Sequence, residues 1–435
     1  MKALLRELAL QSLSLACGGV WNTLSLLRRP LRGNRRRVLL AGTNLMMARE
    51  LSEVRSLLET DARIEMFAAV RPFAGVAGGV DPARFAAAVG VNAVSSAGIF
   101  LQPWDLIILS AHARAFNAGR LVPRVFTGHG ISSWKVVDGE IDEFRGYYTR
   151  CRGRWVYSRM FMRGEDAVRV ARGLHPELGR RTVACGDIVV DDLLAAAEHR
   201  AQLRERLGYR PEDRVVAVLS THGPQGLLGS WGRRTPQALR SLAERFRVIL
   251  VNHPLNIYHE AYGDLRRLSV ELRDSPPAGV HVNQPEDPIQ PALIAADLAV
   301  TDHTSTALYF AQLGKPIVAV KTPGYEAPEG SPWSRILKFV PSVRRPEDVA
   351  AAAEAAFTEF PLERLSGIAR DVVSFPGAAR THWRDELYAL LNLTPPPMPA
   401  MWDQELSARA ARRLVGKSPA AGRPLPASRT DRGDF

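Results

Sequence analysis

Short, almost wholly apolar runs recur along this chain, and stretches with helical spacing separate them. Arg37–Gly42, Ile64–Val70, Asp105–Ser110 and Arg124–Thr127 form one series. After Pro211 the pattern restarts with Arg214–Ser220, Arg247–Val251, Asp297–Thr301 and Pro316–Val320. Runs this short and this rich in Val, Ile and Leu suit parallel strands covered by helices on both faces. The alternation therefore predicts an α/β fold of two doubly wound, Rossmann-like domains in series, with Ala48–Leu58 as the first helix. A chain of 435 residues has room for both domains and two ends. The expected boundaries are an N-terminal segment at 1–34, domains at 35–205 and 206–393, and a tail at 394–435. No G-x-G-x-x-G follows the first run, which excludes the dinucleotide fingerprint.

Two such domains in series are expected to face each other across a cleft. Ligands of doubly wound sheets bind at the carboxyl ends of strands. The motifs of interest are thus those that directly follow a strand.

Charge narrows the partners. The formal net charge is +12, but residues 1–37 carry +7 of it and residues 403–435 carry +3, leaving a nearly neutral body. A nucleic-acid binder is expected to carry a basic stripe on its folded part, so nucleic acid is not an expected partner. Basic ends on a neutral body fit an acidic membrane surface, or an arginine-biased composition. Leu8 to Leu27 is free of charge, but Gln11, Ser12, Ser14, Gly18, Gly19, Asn22, Thr23 and Ser25 interrupt it. This predicts an amphipathic N-terminal helix lying on a membrane, with a spanning or an ordinary packed helix as alternatives. A cleaved signal is not expected, because the charges follow the apolar run. Pro395-Pro396-Pro397 breaks any helix, and the Pro/Arg/Ala-rich tail reads as largely disordered. Cys17, Cys151 and Cys185 form no C-x-x-C pair, so neither a disulfide framework nor a structural zinc site is expected.

Three motifs follow strands. Thr127-Gly128-His129-Gly130 places a histidine between two glycines, where backbone and ring can approach a ligand closely. His129 suits a general base that takes a proton from a hydroxyl; a turn histidine bonded to backbone is the alternative. Asn252-His253-Pro254 sets a second histidine at the end of a strand in the other domain. Thr301-Asp302-His303-Thr304-Ser305-Thr306 leads into a helix that Gly314-Lys315-Pro316 terminates. Its hydroxyls read either as plain N-capping or as a phosphate site at a positive helix end. Ser220-Thr221-His222-Gly223 also follows a strand, a position from which it could line the same cleft. Asp191-Asp192 reads as the cap of a helix over Leu193–Arg200.

Taken in order, these elements resemble the CDP-glycerol glycerophosphotransferase family, the primases and polymerases of teichoic-acid synthesis. The family's H-G-T-P, H-P and T-D-Y-S-S elements look like His129-Gly130, His253-Pro254 and Thr301-Asp302-His303-Thr304-Ser305. Its G-x-P-R-x-D element is echoed by Gly186 and Asp191, and Gly377-Ala378-Ala379-Arg380 resembles the segment before its last helix. Ile131-Ser132 replaces the Thr-Pro, the proline and arginine of G-x-P-R-x-D are absent, and His303 stands for the tyrosine.

The resemblance implies a GT-B architecture and a transferase that moves glycerol phosphate, or a similar alcohol phosphate, from a CDP-linked donor. The acceptor is a hydroxyl of a lipid-linked or polymeric, membrane-associated molecule, and CMP is released. It implies catalytic roles for His129 and His253. Substrate contacts fall on Gly128, Gly130, Thr221, Asn252, Asp302, Thr304, Ser305 and Thr306. No metal and no cofactor are expected, and the expected location is the cytoplasmic face of the cell membrane. A GT-B glycosyltransferase or epimerase using a UDP-sugar is the alternative, and a non-catalytic nucleotide-binding protein of the membrane surface is the second.

Overall fold

The computed structural model describes residues 35–416 other than 71–79, 96–98, 100–101, 113–121, 129, 132–133, 152, 286 and 400–401. The expected amphipathic helix of residues 1–34 lies outside the described residues. No described helix is long and apolar enough to cross a membrane.

The chain forms two compact units. The first comprises the described residues up to Ile188 together with Asp371–Asp403, and the second Val189–Arg370 and the residues from Gln404. The chain thus returns to the first unit after completing the second fold.

The first unit is built on a parallel sheet of seven strands. These are β1 (Arg36–Gly42), β2 (Ile64–Val70), β3 (Asn92–Ala93), β4 (Leu106–Leu109), β5 (Arg124–Phe126), β10 (Arg159–Met162) and β11 (Thr182–Ala184). Between β5 and β10 lie two small antiparallel pairs, β6 (Val136–Val137) with β7 (Glu140–Ile141), and β8 (Arg150–Cys151) with β9 (Arg154–Trp155). The large sheet runs β11-β10-β5-β4-β1-β2-β3, so the strand order reverses between β1 and β4. Successive residues of β1 serve opposite faces, as the two-residue period of a strand requires. Val38 and Leu40 pack with Trp383 and Tyr388, whereas Leu39 and Ala41 pack with Leu109 and Phe126.

The second unit carries a six-stranded parallel sheet of β12 (Val215–Ser220), β13 (Arg247–Asn252), β14 (Val280–Asn283), β15 (Leu298–Thr301), β16 (Ile317–Val320) and β17 (Ser342–Val343). Its order is β14-β13-β12-β15-β16-β17, the Rossmann order, with the reversal between β12 and β15. Every residue of β12, β15 and β16 is buried, which explains why these strands read as unbroken apolar runs.

Three features differ from the sequence reading, the first being that the units divide after Ile188 and again at Asp371, not at the expected 205/206 and 393/394. A helix spans Trp402–Gly416, inside the tail expected to be largely disordered. Ala411 and Leu414 are buried there, and Arg206 donates to the Leu414 carbonyl at 2.6 Å. Asp191 and Asp192 lie inside the helix Ile188–Ala197 and do not cap it.

Candidate functional site

The sheet of the second unit ends in three turns at its reversal point. Register aligns Ser220 with Asn252 and Leu219 with Thr301, so the residues after β12, β13 and β15 emerge at one level. Thr221, Asn252, His253 and Asp302, named from the sequence, are therefore neighbours at the carboxyl end of this sheet.

Asp302 organises the turns. It is fully buried, and its carboxylate accepts from the amides of Thr221 at 3.0 Å, Leu227 at 2.6 Å and Thr304 at 3.0 Å. Burial pushes its pKa up to about 7, against the pull of these backbone donors and of the Ser220 hydroxyl. With no exposed surface, Asp302 has nothing to offer a ligand directly. In this structure its carboxylate orders the turns after β12 and β15.

The hydroxyl cluster follows at once. Thr304 is the N-cap of the helix Ser305–Gln312, its side chain accepting from the Thr306 amide at 3.3 Å. The Thr304 and Thr306 hydroxyls lie 3.3 Å apart. Capping thus accounts for Thr304, while Ser305 and Thr306 remain partly exposed at the positive end of the helix. His303 stacks on Tyr325 at 3.5 Å between ring centres, and burial and the nearby Asp302 push the tyrosine up to about 12.

His253 caps the short helix Pro254–Tyr258: its Nδ1 accepts from the Leu255 amide at 3.1 Å. An Nδ1 that accepts leaves the ring proton on Nε2, so the neutral ring is a hydrogen-bond donor at its far nitrogen. That state suits holding an anion. His222, whose strand-end position the sequence showed, lies with its ring 4.9 Å from that of His253. Two residues that no motif marked complete the arrangement. Asn256 is fully buried and bridges the turns, and Tyr262 meets His222 Nδ1 at 2.8 Å. Neither carries a sequence signal beyond its place in the helical turns after β13.

In the first unit the Gly128 and Gly130 backbones have φ of 69° and 120°, conformations that favour glycine, on either side of position 129. His129 itself lies outside the described residues. Just before this turn, Arg163 Nη1 donates to the Thr127 carbonyl at 2.5 Å. Its other nitrogens reach Asp187 at 3.0 Å and Glu50 at 2.5 Å. His112, after β4, stacks between Phe126 and Tyr148 at 4.0 and 4.5 Å and meets the Tyr157 hydroxyl at 2.9 Å.

No family model matches the chain, and no curated protein matches it by sequence. Its fold is nevertheless shared with solved structures. A variant of the wall teichoic acid polymerase TagF is similar over 83% of this chain and 90% of its own, with a TM-score of 0.54 and 10% identity. The S. aureus protein MnaA, solved with UDP, is similar over 84% of this chain and 99% of its own, with a TM-score of 0.54 and 13% identity. These likenesses show the fold, two Rossmann-like domains in one chain.

Proposed function

We propose that the protein is a transferase that takes glycerol phosphate, or a similar alcohol phosphate, from a CDP-linked donor to the hydroxyl of a membrane-associated acceptor. The observation that carries this reading is the set of turns ordered by Asp302 at the reversal point of the second sheet. There a donor imidazole, two partly exposed hydroxyls and a helix N-terminus gather at the place where doubly wound sheets bind their ligands. The fold shared with a teichoic acid polymerase supports it.

In the reaction His129 takes the proton of the acceptor hydroxyl, whose oxygen attacks the β-phosphorus of the donor. The bond from that phosphorus to the oxygen bridging it to the α-phosphate breaks, and CMP leaves with the electron pair. His253, through Nε2–H, and the Ser305–Thr306 hydroxyls hold the diphosphate and stabilise the charge that grows on CMP. Such transfers gain mainly from positioning and charge stabilisation. A basic N-terminal segment would bring a lipid-linked acceptor to the enzyme at the cytoplasmic face of the membrane.

The direct test incubates the full chain with radiolabelled CDP-glycerol and a panel of lipid and polyol phosphate acceptors. CMP release is expected, and His129→Ala should abolish it while keeping nucleotide affinity. No CMP with any donor or acceptor would end the proposal. An equal likeness to a UDP-bound protein favours a second reading, the use of a UDP-sugar. Thermal shifts separate the two, since the true ligand class raises the melting temperature more.

A further inference from the structure

We infer that the hairpin of β8 and β9 and the helical corner beside it, residues 172–175, form a contact of the folded first unit with an anionic lipid surface. The inference rests on the proposed function for its use alone, the approach to a lipid-linked acceptor. Vesicle binding is measured without donor or acceptor, so either reading can fail by itself.

Residues 150–155 and 172–181 hold six arginines and one carboxylate, Glu177, in a body that is otherwise nearly neutral. Glu177 is spent on Arg180 and Arg181, at 2.5 and 2.7 Å. Arg150, Arg154 and Arg172 are exposed, and no carboxylate of the described residues pairs with them. Their frame is fixed. Register sets Arg150 opposite Trp155 and Cys151 opposite Arg154, and the Val156 amide closes the hairpin on the Thr149 carbonyl at 2.9 Å. The Arg150 guanidinium lies 4.3 Å from the centre of the Trp155 ring, which meets the His175 ring edge-on at 5.0 Å. His175 caps the helix Pro176–Arg181, its Nδ1 accepting from the Glu177 amide at 3.0 Å. Arg172 stands one helical turn before His175. A Cβ at Gly179 would meet the Arg172 Cα at 2.7 Å, so the two helices of the corner touch through backbone.

Leu174, the last residue of the helix Glu165–Leu174, is 54% exposed, although the turns before it bury Ala167, Val168 and Ala171. An indole and a leucine among guanidinium groups without counter-charges suit a bilayer interface. Lipid phosphates meet the arginines there, and the outer acyl region takes the apolar side chains. A polyphosphate chain would satisfy the arginines equally and leave the leucine in water. The Ser158 amide donates to the Arg124 carbonyl at 2.8 Å, so the hairpin leads into the starting ends of β5 and β10. The glycine turn at Gly128 follows the far end of β5, and substitutions in the patch leave that turn alone.

Co-sedimentation of the full chain with phosphatidylcholine vesicles, with and without about 30% phosphatidylglycerol, tests this beside a titration with polyphosphate. Binding that needs the anionic lipid and weakens with salt is expected. Each change among Arg150→Gln, Arg154→Gln and Arg172→Gln should weaken it about fivefold, and the triple variant about a hundredfold. Leu174→Ser should weaken vesicle binding about threefold or more and leave polyphosphate binding unchanged. Melting temperatures of the free variants should stay near that of the parent, since the substituted side chains are exposed. Anionic vesicles that bind the triple variant as they bind the parent, or that fail to bind the parent, would overturn the contact. So would vesicle binding that Leu174→Ser leaves unaltered while the triple variant loses polyphosphate, which would assign the patch to a soluble polyanion. The transferase reading survives each of these outcomes.

Discussion

Both carboxylate oxygens of Asp302 stand 3.0 Å from the Thr221 amide nitrogen, joining the strand ends on either side of the order reversal in the second sheet. Asp302→Ala leaves the amides of Thr221, Leu227 and Thr304 without their acceptor in a buried place. A loss of about 3 kcal/mol is expected, since each orphaned buried donor costs roughly 1–3 kcal/mol. Asp302→Asn keeps one acceptor oxygen and should lose less. Chemical denaturation of both variants checks the order, and an alanine variant as stable as the parent would remove Asp302 as the organiser.

His253 has two separable duties. Its Nδ1 caps the helix Pro254–Tyr258, while its Nε2–H is the proposed phosphate donor. Asparagine is a good N-cap but lacks an imidazole. His253→Asn should therefore keep stability within about 0.5 kcal/mol while CMP release falls about a hundredfold or more. His253→Ala should lose about 1 kcal/mol of stability as well. Equal turnover in the parent and the asparagine variant would assign the residue to capping alone.

The doubly wound sheets were legible because fully buried parallel strands leave apolar runs with little ambiguity, as Val215–Leu219 does. The strands β3, β10, β11, β14 and β17 were not; all but β10 are short edges, such as Val280–Asn283 where polar residues alternate with apolar ones. At the candidate site, strand-end position marked Thr221, His253 and Asp302, which the sheet register brings to one level, but residue type said nothing of where the aspartate's oxygens go. Only burial shows that its oxygens are spent on backbone amides. Asn256 was invisible, since a buried amide that bridges two turns has no local pattern. Gly186, quoted for a sequence likeness, is held by sterics: its φ is 78°, and a Cβ there would meet the Ser374 carbonyl oxygen at 2.6 Å.

Arg163 offers a test of the first unit that does not depend on nucleotide contact. Its guanidinium satisfies Glu50, Asp187 and the Thr127 carbonyl at once, a fork that lysine cannot reproduce. Arg163→Met strands the buried Asp187 and the half-buried Glu50 and should cost about 3–5 kcal/mol. Arg163→Lys should fold at lower stability and release the turn that leads to position 129. With the donor bound by the other unit, kcat for CMP release should fall by about tenfold or more while the donor KM holds. A lysine variant with the parent's kcat would show that the fork serves stability only.

Glu50 makes the stability of the first unit depend on pH. Burial raises its pKa from 4.5 to about 7, with Asp187 adding to the rise and Arg163 opposing it. Between about 4.5 and 7 the folded chain therefore binds more protons at this site than the unfolded chain does. The stabilisation is complete below the lower value and is lost as pH climbs through the upper one. The window corresponds to a change on the order of 3 kcal/mol. Glu50→Gln keeps the shape of the protonated acid and does not titrate. At pH 5 it should match the parent, and at pH 8 it should be the more stable of the two, as urea midpoints at both values would show. Asp302 titrates in the same direction and leaves a residual slope in the variant. A stability difference between variant and parent that is the same at pH 5 and pH 8 would mean that Glu50 stays ionised beside Arg163 throughout.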